Sequence, residues 1–370
     1  MYQECCINLH ASETRIFMKP KVNFSIKLLF SSFFVGILLL HLAACAVPIE
    51  KPGTGQNDAV TEGDLIESAI DLSGKTIGYC TPTLNAPYYQ ALLQSIKGTT
   101  EKNGMTFLSA DGQGDINKQV AAVEDLITKG VDALLLNPKD PDALVGVTKL
   151  AKAAGIPVFI IDSSIDPSAE YVTTIQSNNL ANGELAGEWL AKKYGKQKMN
   201  IALLSGNAGN PVGRTRKQGL LQGITEEQLR NLGYINLNVK TQAYTEWSYA
   251  GGLKAMEDIL VAHPDINVVI AEADVCVLGA IKAIAQAGKT DDIFIVAGAD
   301  GQKEAIKFIM DTEFYGCTAM NSPVQIGKNA VTYAVQYMNG KRDFPKVSFT
   351  PPLLITKENA AQYYNPDALF

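Results

Sequence analysis

The chain has 370 residues, 46% of them hydrophobic, and 38 acidic against 32 basic side chains leave it at −6. An acidic balance with no cluster of Lys and Arg excludes nucleic acid as a partner. Of the six cysteines only Cys80, Cys276 and Cys317 lie past residue 45, an odd number without a CxxC spacing, which makes no disulfide framework.

The first element in chain order is a leader. From Met18, "MKPKVNFSIK" is a positively charged segment, and "LLFSSFFVGILLLHLAA" is an apolar run of 17 residues ending at Leu42-Ala43-Ala44-Cys45. This is the order of a secretory signal. The rival reading, an uncleaved span, needs about 20 apolar residues. Because "LAAC" resembles a bacterial lipobox, residues 1–45 are expected to be a signal/lipobox leader with Cys45 lipidated. Residues 1–17 fit no targeting pattern, so Met18 competes with Met1 as the start. Residues 46–71 are rich in Pro, Gly and polar side chains and are expected to form a flexible tether. Removing the leader's net +2 leaves −8 and a single histidine, His263.

The remainder is too long for one modest core and implies two domains. Short apolar runs alternate with amphipathic stretches: "KTIGYC", a helix from Pro87 to Lys102, "MTFLSA", a helix from Ile116 to Lys129, "VDALLLN", a helix from Pro141 to Ala154, and "IPVFIID". The order then recurs: "MNIALLSG", a helix from Val212 to Leu232, "YINLNVKTQ", a helix from Ser248 to Ala262, "INVVIAEAD", a helix from Leu278 to Ala287, and "DIFIVAGAD". Unbroken apolar strands predict parallel sheets covered on both faces. The fold class is therefore α/β, with two doubly wound parallel-sheet lobes.

In such lobes the functional edge lies outside the carboxyl ends of the strands. Asn137, Asp162 and the Tyr88/Tyr89 pair fall there in the first half, and Asp274 and Asp300 in the second, where Arg214 and Arg216 open a helix. Singly, such an aspartate reads as a helix cap and such an arginine as a solvated charge. Along two matching edges they mark a cleft. Adjacent tyrosines on a helix cannot both sit deep on one buried face, so at least one turns toward that cleft.

The stretches "TLNAPYYQALLQSIKG", "LLLNPKDPDAL", "GIPVFIIDSS", "IQSNNLANGELAGEWLAKK", "GNAGNPVGRTRKQG", "VAGADG" and "MNSPVQIG" are together similar to the periplasmic sugar-binding proteins of the ribose-binding type, over Lys75 to Thr356. The resemblance implies a type I periplasmic binding protein fold with a three-stranded hinge. Residues 72–177 plus 322–346 form the N-terminal lobe, and 178–321 plus 347–358 the C-terminal lobe. It implies an extracytoplasmic monomer, anchored by lipid to a membrane in the periplasm or at the cell surface. That protein captures a sugar or sugar-like molecule by hinge closure and delivers it to an ABC permease in the cytoplasmic membrane. Presentation to a sensor kinase or chemoreceptor, or binding of a non-sugar metabolite, is the alternative output. The family's aromatic walls fall on Tyr88, Tyr89 and Trp247. Its hydroxyl-binding groups fall on Asn137, Asp162, Arg216, Asp300 and Asn321, and Ser163 stands where ribose binders carry an arginine. Ala86 and Ala273 replace asparagines. Three polar side chains lost or shortened would leave ribose hydroxyls unpaired, which points to another ligand.

An enzyme is disfavoured. "SGNAGNPVG" lacks G-x-G-x-x-G, and no G-x-x-x-x-G-K-[ST] occurs. His263 alone, in a helix-to-strand loop, assembles no catalytic pair or metal site. No cofactor, metal or catalytic residue is expected, and no helix-turn-helix precedes the body to suggest a gene regulator.

Overall fold

A computed structural model describes Ile66, Ser68 and residues 70–370. The expected leader, with Cys45, and most of the expected tether lie outside the described residues. The first half runs β1 (Thr76–Thr81), α1 (Pro87–Lys102), β2 (Thr106–Asp111), α2 (Ile116–Thr128), β3 (Ala133–Leu136), α3 (Val145–Ala153), β4 (Val158–Ile161) and β5 (Thr174–Ser177). The second runs α4 (Asn179–Tyr194), β6 (Met199–Ser205), α5 (Pro211–Leu232), β7 (Leu237–Tyr244), α6 (Tyr249–Ala262), β8 (Val268–Ala271), α7 (Asp274–Gln286), β9 (Phe294–Ala297), α8 (Lys303–Asp311) and β10 (Tyr315–Ala319). The chain ends with α9 (Pro323–Met338), β11 (Val347–Thr350), β12 (Leu354–Thr356) and α10 (Ala360–Tyr363).

Two six-stranded sheets result, ordered β11-β5-β4-β3-β1-β2 and β12-β10-β9-β8-β6-β7. Every pairing is parallel except β12 against β10. The central strands are apolar throughout because both faces of each sheet are covered. Ala133–Leu136 and Val158–Ile161 are buried at every position, as are Val268–Ala271. Apolar clusters line both faces of the first sheet, one around Ile77, Leu92 and Phe159, the other around Val123, Leu134 and Ile160. The second sheet is built the same way. This is the doubly wound α/β architecture expected from the sequence.

Three details differ from the sequence reading. Val347–Thr350, expected in the C-terminal lobe, is instead the edge strand of the first sheet, in register with Thr174–Ser177. The chain crosses only after it, at Pro351-Pro352, two residues that cannot donate to a ladder. Asp274, read as a strand end, lies in the first turn of α7, which starts four residues earlier than expected. The expected tether also stops short of Asp71: the Ile66 amide donates to Asn103 Oδ1 (2.7 Å), and the Ile66 side chain packs on the first lobe's core.

Asn178, Asn210, Ser248 and Ser322 cap the helices that follow them. Cys80, Cys276 and Cys317 are free, buried thiols. Burial pushes Cys80 and Cys276 up to about 12, which keeps them protonated. Among the described residues no helix is long and apolar enough to cross a membrane.

Candidate ligand-binding cleft

The functional edge is built from the carboxyl ends of both sheets. In the first lobe, Pro87 at the start of α1 fixes the turn that presents Tyr88 and Tyr89. Their rings meet edge to face, with centroids 5.6 Å apart. The Tyr88 hydroxyl donates to Asp162 Oδ1 (2.5 Å), and Asn137 Nδ2 donates to Asp162 Oδ2 (2.9 Å). Asp162 follows β4 with φ +63°, a conformation costly for an aspartate and typical of side chains aimed at a site. Burial pushes its carboxyl up, against the pull of Tyr88, Asn137 and Arg216. Burial also raises the Tyr88 and Tyr89 hydroxyls, as do the Asp162 and Asp300 charges, so both remain donors.

In the second lobe, Arg216 on α5 is buried against Asp300, just past β9, at Nη1–Oδ1 2.9 Å. Its Nε donates to Asn179 Oδ1 (2.8 Å), and Nη1 also donates to the Glu272 carbonyl (3.1 Å). Burial works to lower this guanidinium, but the Asp300 and Asp162 charges outweigh it and hold it above its ordinary value. Trp247, after β7, lies with its ring centroid 6.0 Å from the Arg216 guanidinium carbon. It has φ +52°, a true outlier for so large a residue. The ring sits so close to Gly206 that a Cβ there would fall 1.9 Å from it.

Asn321 joins the two halves. Its Nδ2 donates to Asp300 Oδ1 (2.9 Å), while its Oδ1 accepts from the Ser177 hydroxyl (2.6 Å) and lies 3.3 Å from the Tyr88 hydroxyl. A continuous polar chain thus runs Asn137–Asp162–Tyr88–Asn321–Asp300–Arg216–Asn179 from one sheet edge to the other. Seven of the nine sequence-derived candidates, all but Tyr89 and Ser163, belong to this chain or, as Trp247 does, face it. Tyr89 sits against Tyr88. Ser163 is buried beside Asp162, and its hydroxyl takes part in none of these bonds.

Arg214 is exposed and Asp274 serves the framework instead. Sequence reasoning missed Glu272, a buried carboxylate that accepts from the Ser205 hydroxyl (2.7 Å) and the Gly206 amide (2.8 Å) behind Trp247. It sits directly past β8, as Asn137 does past β3, and that shared register is the signal for it. Asn179, the first residue of α4, has no comparable signal in the sequence. Ala86 and Ala273, where the resemblance expected asparagines, are the N-caps of α1 and α7, and neither makes a side-chain cap.

Two carboxylates, a guanidinium and several amides between flat aromatic walls suit a neutral molecule with apolar faces and a hydroxyl rim. Among the described residues no group of three His, Cys, Asp or Glu is placed to hold a metal ion. The fold is a two-lobed α/β architecture, and the polar chain between its sheets is the candidate recognition site. A profile of the periplasmic binding protein domain matches residues 77–342, and the chain belongs to that family. It is 37% identical over 267 residues to the ribose import binding protein of Bacillus subtilis, covering 72% of this chain and 83% of that one. A solved ABC transporter solute binding protein from Mycobacterium smegmatis with bound glycerol superposes at a TM-score of 0.72 and 31% identity, over 80% of this chain and 98% of its own. One from Bacillus halodurans with bound myo-inositol gives 0.71 and 28%, over 79% and 99%.

Proposed function

We propose that this chain captures a sugar or a sugar-like polyol between its lobes, closes on it, and delivers it to an ABC importer. The carrying observation is the polar chain from Asp162 through Tyr88 and Asn321 to Asp300 and Arg216, flanked by Trp247. Ligand hydroxyls can replace its links one for one: carboxylates accept from them, and the guanidinium and amides donate to them. The relatives support the ligand class, since one is a ribose import protein and others hold glycerol or myo-inositol. Micromolar binding requires roughly −8 kcal/mol. Charge-assisted bonds of about 1.5–3 kcal/mol each, with stacking, reach that level.

Ala86, Ser163 and Ala273 support a ligand other than ribose. Removing a side chain's hydrogen bond from a hydroxyl-reading site lowers preference for the hydroxyl that made it. The family match and the "LAAC" ending at Cys45 support an extracytoplasmic, lipid-anchored protein. The mass of the mature chain tests the anchor: an unmodified Cys45 would refute it.

The deciding experiment titrates the protein with pentoses, hexoses and polyols, D-ribose and myo-inositol among them, followed by thermal unfolding and calorimetry. A ligand at a hundred times its Kd adds about 2.7 kcal/mol of stability. Trp247→Ala and Tyr88→Ala should each weaken binding at least tenfold, about 1.4 kcal/mol, with the fold intact. Normal affinity in both variants would place the ligand elsewhere.

A further inference from the structure

The segment after α10 lies beyond the part of the chain that the family profile matches, and it links the lobes a fourth time. It is held on the second lobe. Lys303, the first residue of α8, donates its ammonium to the Ala368 carbonyl and reaches the Pro366 carbonyl at 3.5 Å. Phe370 then arrives at the first lobe. Its half-buried ring meets Tyr88 edge to face, with centroids 5.2 Å apart and planes at 84°. Tyr88 is the same tyrosine that donates to Asp162 in the cleft.

We propose that Phe370 is a ligand-retaining residue, a latch that bridges the closed cleft. The three hinge crossings are covalent and persist at any opening angle. The Phe370–Tyr88 contact exists only while the lobes stand at this separation. Such a contact favours the closed form by its own free energy, and a ligand enclosed there leaves more slowly. Tyr88 is thereby held from two sides, by Tyr89 at 5.6 Å and Phe370 at 5.2 Å, so the latch also fixes one wall of the site. The inference rests on reading the cleft as one that opens and closes.

The test needs no ligand, so a failure of every sugar to bind would leave it intact. In the full chain, Trp189→Phe leaves Trp247 as the only tryptophan of the two, and acrylamide quenching reports how open the cleft is. Phe370→Ala should shift the opening equilibrium roughly threefold to tenfold toward the open form, the weight of one aromatic pair, and quenching should rise. Phe370→Tyr should behave as the parent. Lys303→Met frees the other end of the segment and should reproduce the Phe370→Ala result. Unchanged quenching in both Phe370→Ala and Lys303→Met would overturn the latch. Reduced quenching in Phe370→Ala would also overturn it, since the ring would then be a wedge that holds the lobes apart.

Discussion

Asp274 and Asp300 stand at equivalent-looking positions in the sequence and have different duties. Asp300 faces Arg216 in the cleft. Asp274 accepts from the Gly301 and Gln302 amides (2.8 Å each), the Tyr315 hydroxyl (2.5 Å) and the Thr318 hydroxyl (2.7 Å). It therefore pins the loop that immediately follows Asp300 and fixes that carboxylate's position. Burial pushes the Asp274 carboxyl up to about 6. Its folded value lies above the roughly 3.9 of an exposed aspartate, so between the two the folded chain keeps a proton that the unfolded chain has released. Stability from this group is full below about pH 4 and is lost as the pH rises through about 6. Urea unfolding at successive pH values should show the wild type gaining on Asp274→Asn as the pH falls from about 7 to about 5. A difference that stays flat with pH would mean the carboxyl titrates at its ordinary value.

At the scale of elements, the pairing of α4 with α5 sets the second half of the site. Gly183 and Gly187 face Gly219 and Gly223. A Cβ on Gly187 would lie 2.2 Å from the Leu220 carbonyl, and one on Gly219 2.2 Å from that of Leu180. Backbone against backbone brings Asn179, at the start of α4, to Arg216 on α5. Gly187→Ala has only backbone to push against and should cost about 1–3 kcal/mol, read as a lower denaturation midpoint. Unchanged stability would mean the two helices have room to separate. The central strands were legible because burial on both faces removes alternation and leaves runs such as "ALLL" and "VFII". Site residues just past those strands were legible for the same reason: strand ends and the functional edge coincide. Asn179 and Phe370 were not, because each depends on which distant segment packs beside it. "GELAG" and "GLLQG" carry the spacing of a close helix contact, but nothing local says that one faces the other.

At the scale of the whole molecule, one hydroxyl ties the hinge together. Ser177, at the first crossing, donates to Asn321 at the second and lies 3.4 Å from the Thr350 hydroxyl at the third. On the far side Asn182 donates to the Met320 carbonyl (2.8 Å) and accepts from the Leu353 amide (3.4 Å). A rotation of one lobe against the other would fall on the few residues between these ties. A ligand that touches both walls favours the closed form by its difference in affinity for the two forms. Saturating ligand should lower the radius of gyration in solution scattering, leave the far-ultraviolet dichroism unchanged and shift Trp247 emission. An unmoved radius with saturating ligand bound would rule out closure.

The buried thiols have a practical consequence for making this protein an optical sensor. Cys80, Cys276 and Cys317 are shielded and protonated, so an alkylating dye has little to react with in the folded body. A cysteine introduced at exposed Asn85, two residues before α1 and beside the tyrosine pair, would take the dye selectively there. The fluorophore would stand at the rim of the cleft, where its brightness would follow occupancy without any reagent being consumed.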